Sequence, residues 1–127
     1  MTPTDRLYTK EHEWVLVKGD VATIGITEYA QRELGEIVFV ELPEVGQTFN
    51  EGDACGTIES VKAVAEIYVP VSGELFERNE TVQEDPEVVN DDPQGEGWLF
   101  RVRFSDSSPL KNLMDAAKYE DFVKEGE

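Results

Sequence analysis

Cysteine, histidine and basic side chains are all scarce in this chain of 127 residues. Cys55 is the only cysteine, which excludes an internal disulfide and a thiolate metal cluster. His12 is the only histidine, so a metal site would have to rest on carboxylates, and no calcium-loop spacing occurs. Metal binding is therefore not expected as the main function. Eleven basic residues stand against 28 acidic ones, a formal charge of −17. That balance argues against nucleic acid or an anionic membrane as partner, because both need basic surface to displace counterions. It favours docking on basic patches of other proteins, or serves solubility by mutual repulsion, and charge alone does not separate the two. No long apolar run is present, and the opening Met1-Thr2-Pro3-Thr4-Asp5-Arg6 has the pattern of neither a signal peptide nor a transit peptide. A cytosolic protein is expected, or an organellar matrix protein only where a leader has been removed.

What is present suits a folded domain. Hydrophobic residues make up 39% of the chain, with two tryptophans, six phenylalanines and four tyrosines to fill one core. No linker, low-complexity stretch or convincing repeat interrupts it, so residues 1–127 are expected to form a single domain. Its sheet core should span about 7–104 and its C-terminal helical segment about 108–124. Residues 12–17, the turn Lys18-Gly19-Asp20 and residues 21–26 read as a hairpin. Thr27 is placed to cap a short helix running to Leu34, with Glu28 in its first turn and Gly35 as a left-handed stop. Residues 36–42 form a β-branched strand ended by Pro43, and further strands are expected at 74–78 and 98–104. Asp85-Pro86 is placed to open one helical turn through Val89. After Ser105 the period changes: Leu110, Leu113 and Met114, then Tyr119, Phe122 and Val123, fall at helical spacing. Ser108-Pro109 opens the first of these helices, Asp115 caps the second, and their stripes read as core. Residues 45–53 and 71–83 share a faint likeness that suggests a barrel of two halves.

Lys62 stands alone, with no other lysine between Lys18 and Lys111. Residues 54–58 and 64–69 read as strands on either side of it, bounded by Gly52-Asp53 and Pro70-Val71-Ser72-Gly73. A single ammonium is thus expected at the tip of a tight hairpin, poorly placed for buried acid–base work and well placed for a modifying enzyme. Position alone also describes an ordinary solvated turn lysine. Cys55, in the strand before it, reads as a small, partly buried hydrophobe.

The local run Glu59-Ser60-Val61-Lys62-Ala63 resembles a lipoate-attachment motif, with an acidic residue three before the lysine and a small residue after it. Biotin carriers flank their lysine with methionines, and here the flanks are Val61 and Ala63. The likeness extends along the chain. Tyr8-Thr9-Lys10-Glu11-His12-Glu13-Trp14-Val15, then residues 24–31 and 34–43, then Pro70-Val71-Ser72-Gly73-Glu74, Val88-Val89-Asn90 and Gly95-Glu96-Gly97-Trp98 resemble, in order, the H-protein family of the glycine cleavage system. The resemblance covers roughly residues 7–123.

The resemblance implies a mostly β fold: a lipoyl-type barrel-sandwich hybrid of two small sheets, with a short helix after the second hairpin and helices at the C-terminus. It implies lipoate in amide linkage on Lys62, and a carrier that is not itself an enzyme. The implied partners are the pyridoxal-phosphate glycine decarboxylase (P-protein), the tetrahydrofolate-dependent aminomethyltransferase (T-protein), the flavin dihydrolipoamide dehydrogenase (L-protein) and lipoylating enzymes. A monomer is expected, since a travelling carrier must expose its hairpin to several docking sites. By motif, Glu13 matches a glutamate lining the family's cleft for the loaded arm, and Glu66 falls where relatives can have aspartate. A carboxylate there would suit the cationic amine of a loaded arm, and the alternative for both is a solvated surface carboxylate. Glu11 and Glu33 fall near the same cleft, but depart from the serine and histidine of some relatives and carry no assignment. Two other readings stay open: a lipoyl or biotinyl domain of another acyl-transfer or carboxylase complex, and an unmodified interaction protein on the same scaffold. The first leaves the Tyr8 to Val15 motif and the extra helices unexplained.

Overall fold

The structure, a computed structural model, describes residues 2–126; Met1 and Glu127, the ends of the expected 1–127 domain, lie outside the described residues. The chain runs β1 (Leu7–Tyr8), β2 (Glu13–Lys18), β3 (Val21–Ile26), α1 (Glu28–Leu34), β4 (Ile37–Glu41), β5 (Thr48–Phe49), β6 (Ala54–Ser60), β7 (Val64–Tyr68) and β8 (Gly73–Arg78). Two short helices follow, α2 (Glu80–Glu84) and α3 (Glu87–Asp91), then β9 (Phe100–Phe104), a 3-10 turn (Ser108–Asn112) and α4 (Ala116–Gly126). Six strands form one antiparallel sheet in the order β1-β2-β3-β9-β8-β5, and β4-β6-β7 form a second of three. This is the expected mostly β, barrel-sandwich arrangement of two sheets.

One contiguous apolar cluster draws on both sheets: Val15, Ile24, Phe100, Val102 and Leu75 from the larger, Ile37, Val40, Ile58 and Ile67 from the smaller. The alternation in Phe100-Arg101-Val102-Arg103-Phe104 turns the apolar residues inward and the arginines outward. A second cluster sits on the opposite face of β2. There Tyr8 and Trp14 meet Ala116 and Tyr119 of α4, with Leu16, Met114 and Phe122 around them. Trp14 lies so close over Gly25, its partner on β3, that a Cβ at Gly25 would come 2.5 Å from the indole. β2 is therefore buried on both faces.

Several boundaries differ from the sequence reading, for local reasons. His12 lies before the strand, at φ 66°, where the chain turns from β1 into β2. Strands β1 and β5 are two residues long, too short for any alternation to announce them. Residues 108–112 make a 3-10 turn rather than an α-helix. Asp115 does open α4, its carboxylate accepting from Lys118 N at 2.9 Å. Residues 98–99 stay outside β9, Leu42 outside β4, and Val69 outside β7, whereas β6 continues through Ser60. The helix α2 was not expected; Asn79 caps it by accepting from Thr81 N. Gly35 ends α1 at φ 81° and ψ −145°, a glycine conformation with positive φ but not the left-handed helical one. The two segments of faint mutual likeness meet each other, since β5 pairs with β8 through Thr48 and Glu74.

Candidate functional site

Strands β6 and β7 pair from Gly56 with Ile67 up to Glu59 with Val64, which leaves Lys62 at the tip. Ser60 shapes that tip. Its amide donates to the Ala63 carbonyl at 2.8 Å, and its hydroxyl oxygen accepts from Ala63 N at 3.0 Å and from Lys62 N at 3.3 Å. A buried hydroxyl thus takes the amides that would otherwise point at nothing, and no tip residue needs a positive φ. The tip is also tied down sideways, because Val61 N donates to the Glu36 carbonyl at 3.0 Å. Asn90, at the end of α3, holds the same corner: its amide donates to the Gly35 carbonyl at 2.8 Å and its oxygen accepts from Ile37 N at 2.9 Å. Gly35 lies alongside the lysine stem, where a Cβ would make an ordinary van der Waals contact with Lys62 Cε at 3.5 Å. Lys62 itself is exposed, and among the described residues no carboxylate pairs with it.

The two candidate carboxylates have different surroundings. Glu13 shares the inward face of β2 with Val15 and is only 1% exposed. Its Oε2 accepts from the backbone N–H of Tyr68 on β7 at 2.7 Å, and its Oε1 accepts from the Thr9 hydroxyl at 3.3 Å. The first of these bonds joins the two sheets. Burial pushes the Glu13 carboxyl up to about 8, against the opposing pull of the Tyr68 and Thr9 hydrogen bonds. Glu66 is exposed and takes a hydrogen bond from the Tyr68 hydroxyl at 3.0 Å. It lines an open cavity of about 400 Å³ with Glu41, Glu44 and Cys55. Tyr68 therefore links the two carboxylates, Glu13 through its amide and Glu66 through its hydroxyl. Sequence reasoning missed Tyr68 and Asn90, since neither residue type advertises a bridging role. The period-two alternation with Val15 is the signal that bears on the depth of Glu13, which the sequence reading takes as cleft-lining or solvated. Burial and the charges of Glu13 and Asp53 push the Cys55 thiol up to about 12, so it is inert at neutral pH.

Glu11 and Glu33 are exposed, and both act on His12, favouring its charged form, while burial of the imidazole outweighs them and lowers its pKa. His12 Nδ1 lies 2.9 Å from the Tyr119 hydroxyl, which in turn lies 2.7 Å from Thr27 Oγ1. This cluster fastens α4 to the start of α1. Among the described residues no group of three or more His, Cys, Asp or Glu is arranged to hold a metal ion. The site offers an accessible amine on a rigid tip, with a carboxylate-lined cavity on the same hairpin.

Comparison with known proteins agrees with this geometry. Residues 6–126 match the family described as Glycine cleavage H-protein. The chain is 55% identical over 123 residues to the glycine cleavage system H protein of Herpetosiphon aurantiacus, covering 97% of this chain and 94% of that one. It is 54% identical over 123 residues to the glycine cleavage system H protein of Staphylococcus saprophyticus, covering 97% and 98%. The crystal structure of a glycine cleavage system H protein from Mycobacterium marinum superposes with a TM-score of 0.88 at 38% identity, covering 96% of this chain and 98% of that one. A match of this extent in sequence and in backbone superposition leaves one conclusion: the chain belongs to the glycine cleavage H-protein family, whose members are carriers rather than catalysts.

Proposed function

We propose that this chain carries lipoate in amide linkage on Lys62 and works as the shuttle of a bacterial glycine cleavage system in the cytoplasm. It takes the aminomethyl group of glycine from the decarboxylase to the aminomethyltransferase, and delivers electrons to dihydrolipoamide dehydrogenase. The observation that carries the reading is the lone exposed lysine on a serine-capped hairpin tip, in a chain of this family. The residues suit the group. Lys62 Nζ is unpaired among the described residues, and Ser60, Glu36 and Asn90 hold the tip in place. When bound, lipoate supplies the disulfide–dithiol chemistry and a long uncharged arm. The chain's own part is presentation. A fixed tip keeps the attachment point constant while the arm samples the active sites of successive partners.

Glu66 and Glu13 are proposed as the carboxylates facing a loaded arm when it folds back. Glu66 lines the cavity, and Glu13 lies behind it through Tyr68. The exposed position of Glu66 makes it the group an incoming cationic amine meets before Glu13.

Intact mass of the protein from its native host tests the attachment, with Lys62→Arg as control. Arginine keeps the positive charge but cannot form the lipoyl amide. The expected result is one lipoyl increment on the wild type and none on Lys62→Arg, with unfolding free energies equal within about 0.5 kcal/mol and glycine cleavage lost. Wild type purified without the increment, or an active Lys62→Arg protein, overturns the proposal.

A further inference from the structure

Basic side chains are scarce in this chain, eleven against 28 acids, yet three of the eleven meet at one cavity. It lies on the outer face of the larger sheet, where Trp14, Leu16 and Lys18 of β2 turn away from the core side that Val15 occupies. Arg6, Lys18 and Arg101 line a volume of about 430 Å³, and none of the residues around it is acidic. Both tryptophans of the chain, Trp14 and Trp98, stand in its wall. No residue of the Lys62 hairpin or of the smaller sheet contributes to it.

Two of the cations are held flat on the indoles. The Arg101 guanidinium carbon lies 4.0 Å from the Trp98 ring centroid, its Nε donates to Thr23 Oγ1 at 3.1 Å, and its Nη1 donates to Glu77 at 2.8 Å. Among the described residues its Nη2 has no partner. The Arg6 guanidinium carbon lies 4.6 Å from the Trp14 centroid, with Nη1 donating to the Gln94 carbonyl at 2.7 Å and Nε to Asp5 at 2.8 Å. Trp14 is fixed in turn, its Nε1 donating to the Pro93 carbonyl at 2.9 Å. Lys18 is exposed and makes no salt bridge among the described residues. Three cations against Asp5 and Glu77 leave the neighbourhood one net positive charge, in a chain whose total is −17. Guanidiniums already stacked and hydrogen-bonded lose little freedom when they take up a ligand.

Size and charge select the occupant. A cavity of this volume suits a small ligand. An acidic protein or a nucleic acid would bring a second negative surface against the chain's excess of carboxylates, whereas a small anion is contained where the cations are. Indoles and stacked guanidiniums suit a planar ring, Leu16 and Val21 add apolar wall, and Arg101 Nη2 and Lys18 suit phosphate or carboxylate oxygens. We propose that this groove binds a small anion built on a planar ring, of the class of a nucleoside diphosphate or an aromatic dicarboxylate. Its ring lies beside the Trp98–Arg101 stack and its anionic group meets Arg101 and Lys18. The site is independent of what Lys62 carries, and an occupant leaves the hairpin open to its partners.

The test titrates ADP into the full chain by calorimetry at low salt and follows tryptophan emission, which reports on this groove because both tryptophans line it. One saturable site is expected, with emission changing along the same curve. Adenosine, which lacks the anion, and pyrophosphate, which lacks the ring, are each expected to bind at least about tenfold more weakly. Lys18→Gln is expected to weaken ADP several-fold, and Lys18→Gln with Arg101→Gln at least about tenfold. The exposed, unbridged Lys18 keeps the test decisive where loss of Arg101 disturbs the sheet. Lys111→Gln removes the same charge at an exposed position outside the groove and is expected to bind as wild type. Isophthalate in place of ADP distinguishes the source of the anion: tighter binding than ADP assigns a carboxylate ligand, and weaker binding a phosphate one. Absence of saturation by both ADP and isophthalate overturns the inference, as does saturation that leaves tryptophan emission unmoved. Pyrophosphate that matches ADP also overturns it, because the cations would then hold an adventitious ion only. An equal loss with Lys111→Gln does the same, since overall charge rather than the groove would govern binding.

Discussion

Glu13 shows what a single side chain can do when tertiary structure takes it out of water. Its sequence neighbours place it on a strand, and the strand's parity turns it inward, where it bonds Tyr68 N and the Thr9 hydroxyl. A carboxyl raised to about 8 binds its proton more tightly in the folded chain than in the unfolded one. Its contribution to stability is thus fully present below the unfolded value near 4.5 and is lost as pH rises through about 8. Glu13→Gln keeps an oxygen to accept from Tyr68 and cannot ionise. We expect wild type to lose on the order of a few kcal/mol relative to Glu13→Gln between roughly pH 5 and pH 9, measured by urea unfolding across that range. Parallel pH profiles would mean that the carboxyl titrates near its ordinary value. A loaded arm's ammonium brought beside Glu13 would favour the ionised carboxylate and oppose the burial that raises its pKa. Ammonia release from loaded, partner-free protein is then expected to rise about tenfold in the same variant, as a charge-assisted hydrogen bond of ~1.5 kcal/mol predicts.

At the scale of elements, α4 depends on one hydroxyl. Tyr119 stacks on Tyr8 with ring centroids 4.7 Å apart and bridges His12 and Thr27 through its OH. Tyr119→Phe preserves the stack and removes the bridge, leaving His12 Nδ1 without that partner. The expected cost is about 1–2 kcal/mol, seen as a lower urea midpoint with an unchanged slope. Amide exchange should quicken first in α4. A variant as stable as wild type would assign the anchoring of α4 to apolar packing alone. The same helix separates what sequence pattern reveals from what it hides. The stripe Tyr119, Phe122 and Val123 announced an apolar face, and Asp115 announced its start. Nothing local announced that Met114 would pair with Tyr8 along the edge of β1, because that bridge closes only when both ends of the chain meet.

For the whole molecule the governing quantity is charge. Four arginines already pair with acids of this chain, Arg6 with Asp5, Arg78 with Glu80, Arg101 with Glu77 and Arg103 with Asp20, so most carboxylates face solvent uncompensated. Added salt should act on this surface in two opposite directions. It screens self-repulsion and should raise the thermal midpoint, and it should slow association with basic partners about tenfold between low and high ionic strength. Stopped-flow association with the decarboxylase, beside thermal melts in the same buffers, checks both. An association rate indifferent to salt would make the −17 charge a solubility device.

By itself the sequence determined the β-rich class, the β2–β3 hairpin, the Thr27-capped helix, the lone tip lysine and, through ordered motifs, the family resemblance. These rest on alternation, capping residues and turn chemistry, all of which act over a few neighbouring residues. Tertiary structure decided the rest. Val64 reads as a strand hydrophobe, yet the sheet turns it to solvent; Glu13 reads as a cleft-lining or solvated carboxylate, yet it joins two sheets beneath the surface. The physical reason is that local preferences specify which way a side chain points relative to its own strand. Only the pairing of distant segments specifies whether water, a second sheet or a helix lies in that direction.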